Sequence, residues 1–323
     1  MMLEQPFRRN FLQHAMAVSQ WMERHQAKGG IDPRSLSMEI ALGGDAVRFY
    51  PQFVVERESK TAFIPFLEPG VCGFVGWVPY FSKGWAESSR KLAFKAFAAQ
   101  YGLRVPAGGQ GDTQPAAEYL VKKDDSTFGE GLRGPFGRLR PLSLQAGEYW
   151  EHFVRGQVVK AWYWDGELAV VEVVPMPCVV GDGKRMVAEL ALQAVGPVAA
   201  QQPPPQALLA LQGLGLTTVP APGQVVQLEY RYISPFSPAN QRDHNVREKL
   251  RGSDVETQLV HAGQVCLAAV SEDIRPCTAF TLDGVLDERS QLWLLEMNSN
   301  PQLHPAFYEP MLDALFLHEL QPA

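Results

Sequence analysis

The sequence lacks most of the features that announce a function. Its four cysteines, Cys72, Cys178, Cys266 and Cys277, are scattered and form no C-x-x-C pair. That spacing disfavours a zinc site or a disulfide framework and predicts reduced, mostly buried thiols in a cytoplasmic protein. No stretch approaches the roughly 18 uninterrupted apolar residues of a membrane span, so no membrane association is expected. Residues 1–10 hold Glu4, Arg8 and Arg9 and lack the apolar core of a secretory signal. Basic residues are not in excess: 29 Lys+Arg stand against 35 Asp+Glu, a net charge of −6. A general nucleic-acid binder normally needs a basic face, so that class is not expected, although a local basic cleft for an anionic ligand is compatible with the balance. G-x-S-x-G, H-E-x-x-H and a cysteine in nucleophile surroundings are all missing. A P-loop is missing too, because Gly183-Lys184 is followed by Arg185 and has no upstream glycine at the required distance.

What is present is enough chain for two or three lobes: 323 residues, 46% of them hydrophobic. Apolar spacing predicts a helix from Phe7 to Lys28, ended by Gly29-Gly30, followed by short β-prone runs from Ser35 to Phe66. Residues 70–84 are aromatic and glycine-rich and read as a packed connection. A helix starts near Ser88-Ser89 and stops at Tyr101-Gly102. Strands are expected at 118–122 and 149–154, and Asp165-Gly166 between two β-prone runs is a hairpin signal. Further on come a helix at 186–195, a loop at 196–205, a strand at 225–233 and a helix at 255–270. Two strands, at 279–282 and 292–296, close the pattern, which is α+β with hairpins rather than regular βαβ alternation.

Three stretches carry chemistry. In the run from Asp283 to Pro301, a hairpin would level Asp283 with Glu296, and Glu296 and Asn298 share a strand face because they are two apart. Two carboxylates and an amide oxygen at one spot are hard ligands suited to Mg²⁺ on nucleotide phosphates, unless they are ordinary surface groups at a strand end. In the second, a strand delivers Lys122 into the polar, glycine-rich segment with Ser126, Gly129 and Gly131, whose backbone N–H groups can cover phosphates, unless it is a solvated hairpin tip. Pro135 and Pro141 leave no room there for a dinucleotide-binding helix. The third is Lys91 on its helix, either a phosphate contact or an exposed helix charge.

In this order the pieces resemble the ATP-grasp superfamily, and within it the ATP-grasp module of cyanophycin synthetase-like amino-acid ligases. Pro175 to Lys184 and Gly213 to Gly223 carry the nearer likeness. The resemblance spans about residues 88–318. It implies an ATP-grasp fold of two α+β lobes with antiparallel sheets, at 88–154 and 155–323, after an N-terminal α+β lobe at 1–87. It implies ATP held by Lys91, Lys122, Ser126, Gly129 and Gly131, with adenine at the Glu151, Phe153 and Val154 hinge. Gln157 would substitute at the ribose, since Val158 falls where an acid is usual. It also implies Mg²⁺, with Mn²⁺ as an alternative, at Asp283, Glu296 and Asn298. The segment from Arg231 to Asn245 replaces the subgroup's substrate loop, and a partner ligase domain is absent, so cyanophycin synthesis is not implied. Arg231, Arg242 and Arg247 are candidates to hold a substrate carboxylate or acyl phosphate, each with the alternative of a surface arginine.

The expected activity is ATP-dependent joining of a carboxylate, on an amino acid or peptide, to an amine through an acyl phosphate. Two other readings stand beside it: a phosphotransferase without a condensation step, and an inactive nucleotide-binding module, which the intact Asp/Glu/Asn set disfavours. The N-terminal lobe would supply either part of the acceptor pocket or a homodimer contact.

Overall fold

The computed structural model describes residues 5–57, 60–111, 113–126, 130–231 and 245–317. Helix α1 (Gln5–His25) buries Phe7, Val18 and Trp21 along one stripe. It stops before Lys28, where the apolar spacing alone would end it, because Gln26 turns left-handed at φ 56° and Lys28–Ile31 pairs as strand β1. Strands β2 (Met38–Leu42), β3 (Asp45–Arg57), β4 (Lys60–Ile64) and β5 (Val71–Val78) complete an antiparallel sheet in which β5 pairs with β3. The expected connection at 70–84 is therefore largely a strand. Its register shifts twice, at Gln52/Phe53 and Val54/Val55, and those slips erase the period-two signal.

The short α2 (Ala86–Ser89) leads into α3 (Lys91–Gln100), ended by Gly102 at φ 74°. Strands β6 (Gly108–Gly109), β7 (Tyr119–Lys123), β8 (Arg133–Phe136) and β9 (Glu148–His152) form a second antiparallel sheet in the order β6-β9-β7-β8. Its own core is small: Tyr119, Val121 and Trp150.

Strands β10 (Gln157–Trp164) and β11 (Glu167–Val174) make the expected hairpin, with Asp165 and Gly166 both at positive φ. Next come β12 (Cys178–Val180), α4 (Val187–Val195), α5 (Val198–Gln201), α6 (Gln206–Leu211) and β13 (Val225–Gln227). These pack around Val187, Leu190, Leu209 and Val226, so the segment expected to be loop at 196–205 contains a helical turn. Helices α7 (Arg247–Leu250) and α8 (Asp254–Leu267) precede β14 (Ala279–Leu286) and β15 (Leu292–Asn298), and α9 (Tyr308–Phe316) follows a single 3-10 turn.

The third sheet, β11-β10-β14-β15, is antiparallel throughout. One face buries Val159, Ala161, Tyr163, Phe280 and Leu282 against α8 and the α3 residues Phe94 and Ala98. Strand alternation turns Lys160 and Asp283 to the opposite face, which lines a cavity. The chain is thus α+β with antiparallel sheets.

The first lobe is not a separate body. Phe7, Trp21, Phe53, Phe74 and Trp77 share one core with Trp162, Leu303, Phe307, Tyr308 and Met311. Trp21 Nε1–H donates to Asp313 at 2.8 Å. The Tyr308 hydroxyl accepts from the Trp77 N–H and meets His14 Nδ1, each at 2.9 Å. With each buried ring contributing on the order of 1.5–3 kcal/mol, α1 and α9 are held as one unit.

None of the four cysteines is in a disulfide, but only Cys266 is buried, and that burial pushes its thiol up to about 12. Cys178 is exposed, which corrects the expectation of mostly buried thiols. Among the described residues no helix is long and apolar enough to cross a membrane.

Candidate active site

A cavity of about 1190 Å³ runs between the second and third sheets and reaches α1. Its centre is one row of the third sheet. The β11–β10, β10–β14 and β14–β15 registers place Glu172, Lys160, Asp283 and Glu296 side by side across four strands, all facing the cavity. Asp283 and Glu296 are direct partners, as the hairpin reading requires, and Asn298 follows on the same face.

The charges in this row are interleaved. Lys160 Nζ lies 2.7 Å from Asp283 Oδ1, and Lys91 Nζ lies 3.3 Å from Glu296 Oε2. Asn298 Nδ2 donates to Asp283 Oδ2 at 3.2 Å. Burial pushes Asp283 up to about 6 despite Lys160, and the neighbouring Glu296 adds to the rise. Burial acts upward on Glu296 too, but Lys91 and Lys122 outweigh it and leave that carboxyl below its ordinary value. Among the described residues no cluster of three or more His, Cys, Asp and Glu side chains suits a metal. Two carboxylates and an amide do suit Mg²⁺, which keeps several waters and takes its remaining oxygens from phosphate. A dication there would also offset the burial, and the lesser repulsion from Glu296, that lift Asp283.

Lys91 is positioned by a group that the sequence reading missed. Asp124, just beyond β7, accepts at Oδ1 from the Leu92 N–H at 2.8 Å and at Oδ2 from Arg90 Nε at 2.9 Å, and its carbonyl accepts from the Lys91 N–H at 3.1 Å. The carboxylate caps α3 and favours its N-terminus. From there Lys91 Nζ crosses to the Ser126 carbonyl, and both residues line the cavity.

On the second sheet, Lys122 of β7 and Glu151 of β9 are diagonal cross-strand neighbours and form an ion pair. Lys95 Nζ, nearly buried on α3, lies 2.7 Å from the other Glu151 oxygen. Burial acts upward on Glu151, yet the two lysines hold it at about 2. Burial also pulls the Lys95 ammonium below its ordinary value. Both Glu151 oxygens are therefore engaged by lysines, Lys122 on one and Lys95 on the other. His152, Phe153 and Val154, immediately beyond Glu151, line the cavity.

The remaining candidates divide. Glu130 and Leu132 line the cavity on either side of Gly131, which holds φ 72°. Gly129 and Arg242 lie outside the described residues. Gln157 is exposed at the start of β10 and the cavity wall passes through Val158 instead, so a ribose role for Gln157 has no support in this geometry. Arg231 reaches the cavity, but its guanidinium makes a two-point contact with the buried Glu229, at 2.9 and 2.6 Å. Arg247 is outside the wall and donates to the Ala169 carbonyl, so it is not placed to hold substrate. The Gly181–Lys184 stretch is likewise no phosphate loop: Asp182 turns it by accepting from the Lys184 and Arg185 N–H groups, both at 2.8 Å.

No protein-family model matches this chain, and no curated protein matches it. Among solved structures it is similar to a bifunctional glutathione synthetase from Pasteurella multocida, at 14% identity and a TM-score of 0.45, over 94% of this chain and 43% of that one. It is also similar to a D-alanine–D-alanine ligase from Bacillus anthracis, at 10% identity and a TM-score of 0.36, over 70% and 63% of the two chains. A third is the ATP-grasp ligase PsnB in complex with a minimal precursor, at 12% identity and a TM-score of 0.31, over 71% and 60%. The chain thus spans less than two thirds of each of these proteins.

Proposed function

We propose that this chain is an ATP-dependent ligase of ATP-grasp type that joins a carboxylate, on an amino acid or peptide, to an amine, releasing ADP and phosphate. The observation that carries the reading is the row Lys160–Asp283–Glu296, with Asn298 beside it and Lys91 and Lys122 reaching the same cavity from two other elements. That is an arrangement for handling phosphate charge, with no nucleophilic side chain at its centre. The cavity also exceeds the roughly 300–1,000 Å³ of a single-ligand pocket, which suits a nucleotide together with a second substrate.

In this reading Asp283, Glu296 and Asn298 hold Mg²⁺, which when bound draws off charge between the terminal phosphates. Lys91 and Lys122 neutralise phosphate oxygens, and Glu151 keeps Lys122 in place. Lys160 sits beside the carboxylate pair where the acyl phosphate would form, and the walls from α1 and β9 keep water away from it. The carboxylate oxygen takes the terminal phosphoryl group as ADP leaves. The uncharged amine then attacks the acyl carbon, the N–C bond forms, the C–O bond to phosphate breaks, phosphate leaves with that electron pair, and the nitrogen gives up one proton. The test is ADP formation with Mg²⁺, ATP and pooled amino acids and dipeptides, with products read by mass. A product lighter than two pool members by one water supports ligation. A product heavier by a phosphate would replace the reading with a phosphotransferase.

A further inference from the structure

The segment between β5 and α2 carries a lysine in a cage of oxygens. Lys83 Nζ donates to the carbonyls of Ile274, Pro276 and Cys277 at 2.8, 2.6 and 3.2 Å, and to the Thr278 hydroxyl at 2.8 Å. Thr278 directs its own proton to the Ile274 carbonyl at 2.6 Å, so toward Lys83 it presents only lone pairs. The Tyr80 ring closes another side, with its centroid 4.5 Å from the ammonium.

This cage suits a sphere of charge better than a tethered amine. A lysine ammonium has three N–H donors, and four oxygens compete for them. Carbonyl dipoles aimed at one point repel one another unless a cation lies between them, and the turn that aims them holds Cys277 left-handed at φ 58°. Carbonyl and hydroxyl oxygens, rather than carboxylates, are the groups that replace the water shell of a monovalent cation. The cage is also braced by groups other than Lys83. Asp165 accepts from the Cys277 and Thr278 N–H groups at 3.1 and 2.6 Å, and the Tyr80 hydroxyl accepts from the Ala279 N–H at 3.2 Å.

Its place in the fold joins the two strands that carry the proposed metal ligands. Thr278 leads directly into β14, which bears Asp283. The Lys83 N–H and carbonyl meet the side chain of Asn300, two residues beyond Asn298 at the end of β15. Thr281 and Asn298 are paired in register between them. One residue thus fixes the start of one strand against the end of the other.

We propose that residues 274–278 and Tyr80 form a monovalent-cation site filled by the chain's own ammonium, a tethered substitute for K⁺ or NH₄⁺, and that Lys83 is a positioning residue for the Mg²⁺ ligands. The second half rests on the ligase reading; the first does not.

The experiment uses the full chain and Lys83→Met, whose side chain keeps the stem's bulk and ends one atom short of the ammonium. Both are compared in the chlorides of K⁺, NH₄⁺, Li⁺ and tetramethylammonium at equal ionic strength. In tetramethylammonium the variant is expected to unfold about 5 °C below the unaltered protein. There it should also bind ATP about tenfold more weakly with Mg²⁺, yet within about twofold of the unaltered protein in EDTA. K⁺ and NH₄⁺ should restore most of both losses, and Li⁺, too small to span the cage, should not. The unaltered protein should respond alike to all four salts. Restoration by every salt or by none, or a variant that matches the unaltered protein in tetramethylammonium, would overturn the site. If Lys83→Met does not fold, Lys83→Ala with added ethylammonium puts the same question, and failure of both variants to fold with any cation overturns it too. Equal losses of ATP affinity with Mg²⁺ and in EDTA would overturn the positioning role. No ATP binding by the unaltered protein removes the ligase reading, and the unfolding midpoints then decide the cage on their own.

Discussion

Lys83 and Asn300 hold each other by main chain and side chain at once: Asn300 Nδ2 donates to the Lys83 carbonyl at 2.7 Å and Asn300 Oδ1 accepts from the Lys83 N–H at 3.3 Å. The Lys83 ammonium meanwhile meets the carbonyls of Ile274 and Pro276 and the Thr278 hydroxyl, at 2.6–2.8 Å. The clasp ties the segment after β5 to the strand end that carries Glu296 and Asn298. Asn300→Ala should cut turnover about tenfold by misplacing the proposed metal ligands, with a matching loss of Mg²⁺-dependent nucleotide affinity. Unchanged Mg²⁺ titrations of nucleotide binding would show the clasp to be purely structural.

Glu296→Gln removes one hard oxygen charge and the partner of Lys91. Turnover is expected to fall at least about a hundredfold while the fold, read by circular dichroism, is kept. Substantial activity in this variant would remove Glu296 from the proposed metal site.

The Glu151 ion pairs give a stability signature that depends on pH. The folded carboxyl titrates at about 2, below its ordinary 4.5. Its contribution is therefore complete above the ordinary value and is lost as pH falls from there toward the folded value. Glu151→Gln should cost about 3–5 kcal/mol near neutral pH, because Lys95 is left buried without its counter-charge. By about pH 3 the gap to the unaltered protein should shrink by roughly 2 kcal/mol, measured by urea unfolding at both pH values. A constant gap would refute the assignment.

Gly263 on α8 faces Tyr163 so closely that a Cβ would lie 2.3 Å from the ring. The ring is pinned by its hydroxyl, which donates to the Leu259 carbonyl at 2.9 Å, so it has little room to retreat. Gly263→Ala should destabilise by about 1–3 kcal/mol, read as a lower urea midpoint at an unchanged slope.

The legible parts of the site were those whose geometry is local. Glu296 and Asn298 share a face by strand alternation, Asp165-Gly166 announces its turn, and the short hairpin that follows Asp283 brings it level with Glu296. The rest needed contacts between distant segments. Lys160 and Glu172 sit in hairpin strands rich in apolar residues, and nothing local says that their row continues through β14. Lys95 looks like any helix lysine until β9 is laid against it. Asp124 is hidden because it caps a helix that begins 33 residues earlier, at Lys91. The arginines suited a substrate carboxylate by type, but Arg231 is engaged by the nearby Glu229 and Arg247 by the distant Ala169 carbonyl.

The shared core of α1 and α9 also sets an order of events during synthesis. Trp21 and its partner Asp313 are 292 positions apart, and His14 and Tyr308 are 294 apart. A ribosome adding about 5–20 residues per second therefore supplies the cover from Phe53, Phe74 and Trp77 early and leaves the α9 side of this core open on the order of tens of seconds longer. The row from Glu172 to Glu296 is also incomplete for most of that interval, since Glu296 is among the last residues made. The earliest helix made is thus among the last to be fully enclosed, and a nascent chain stalled before residue 308 should expose the α9-facing side of this core.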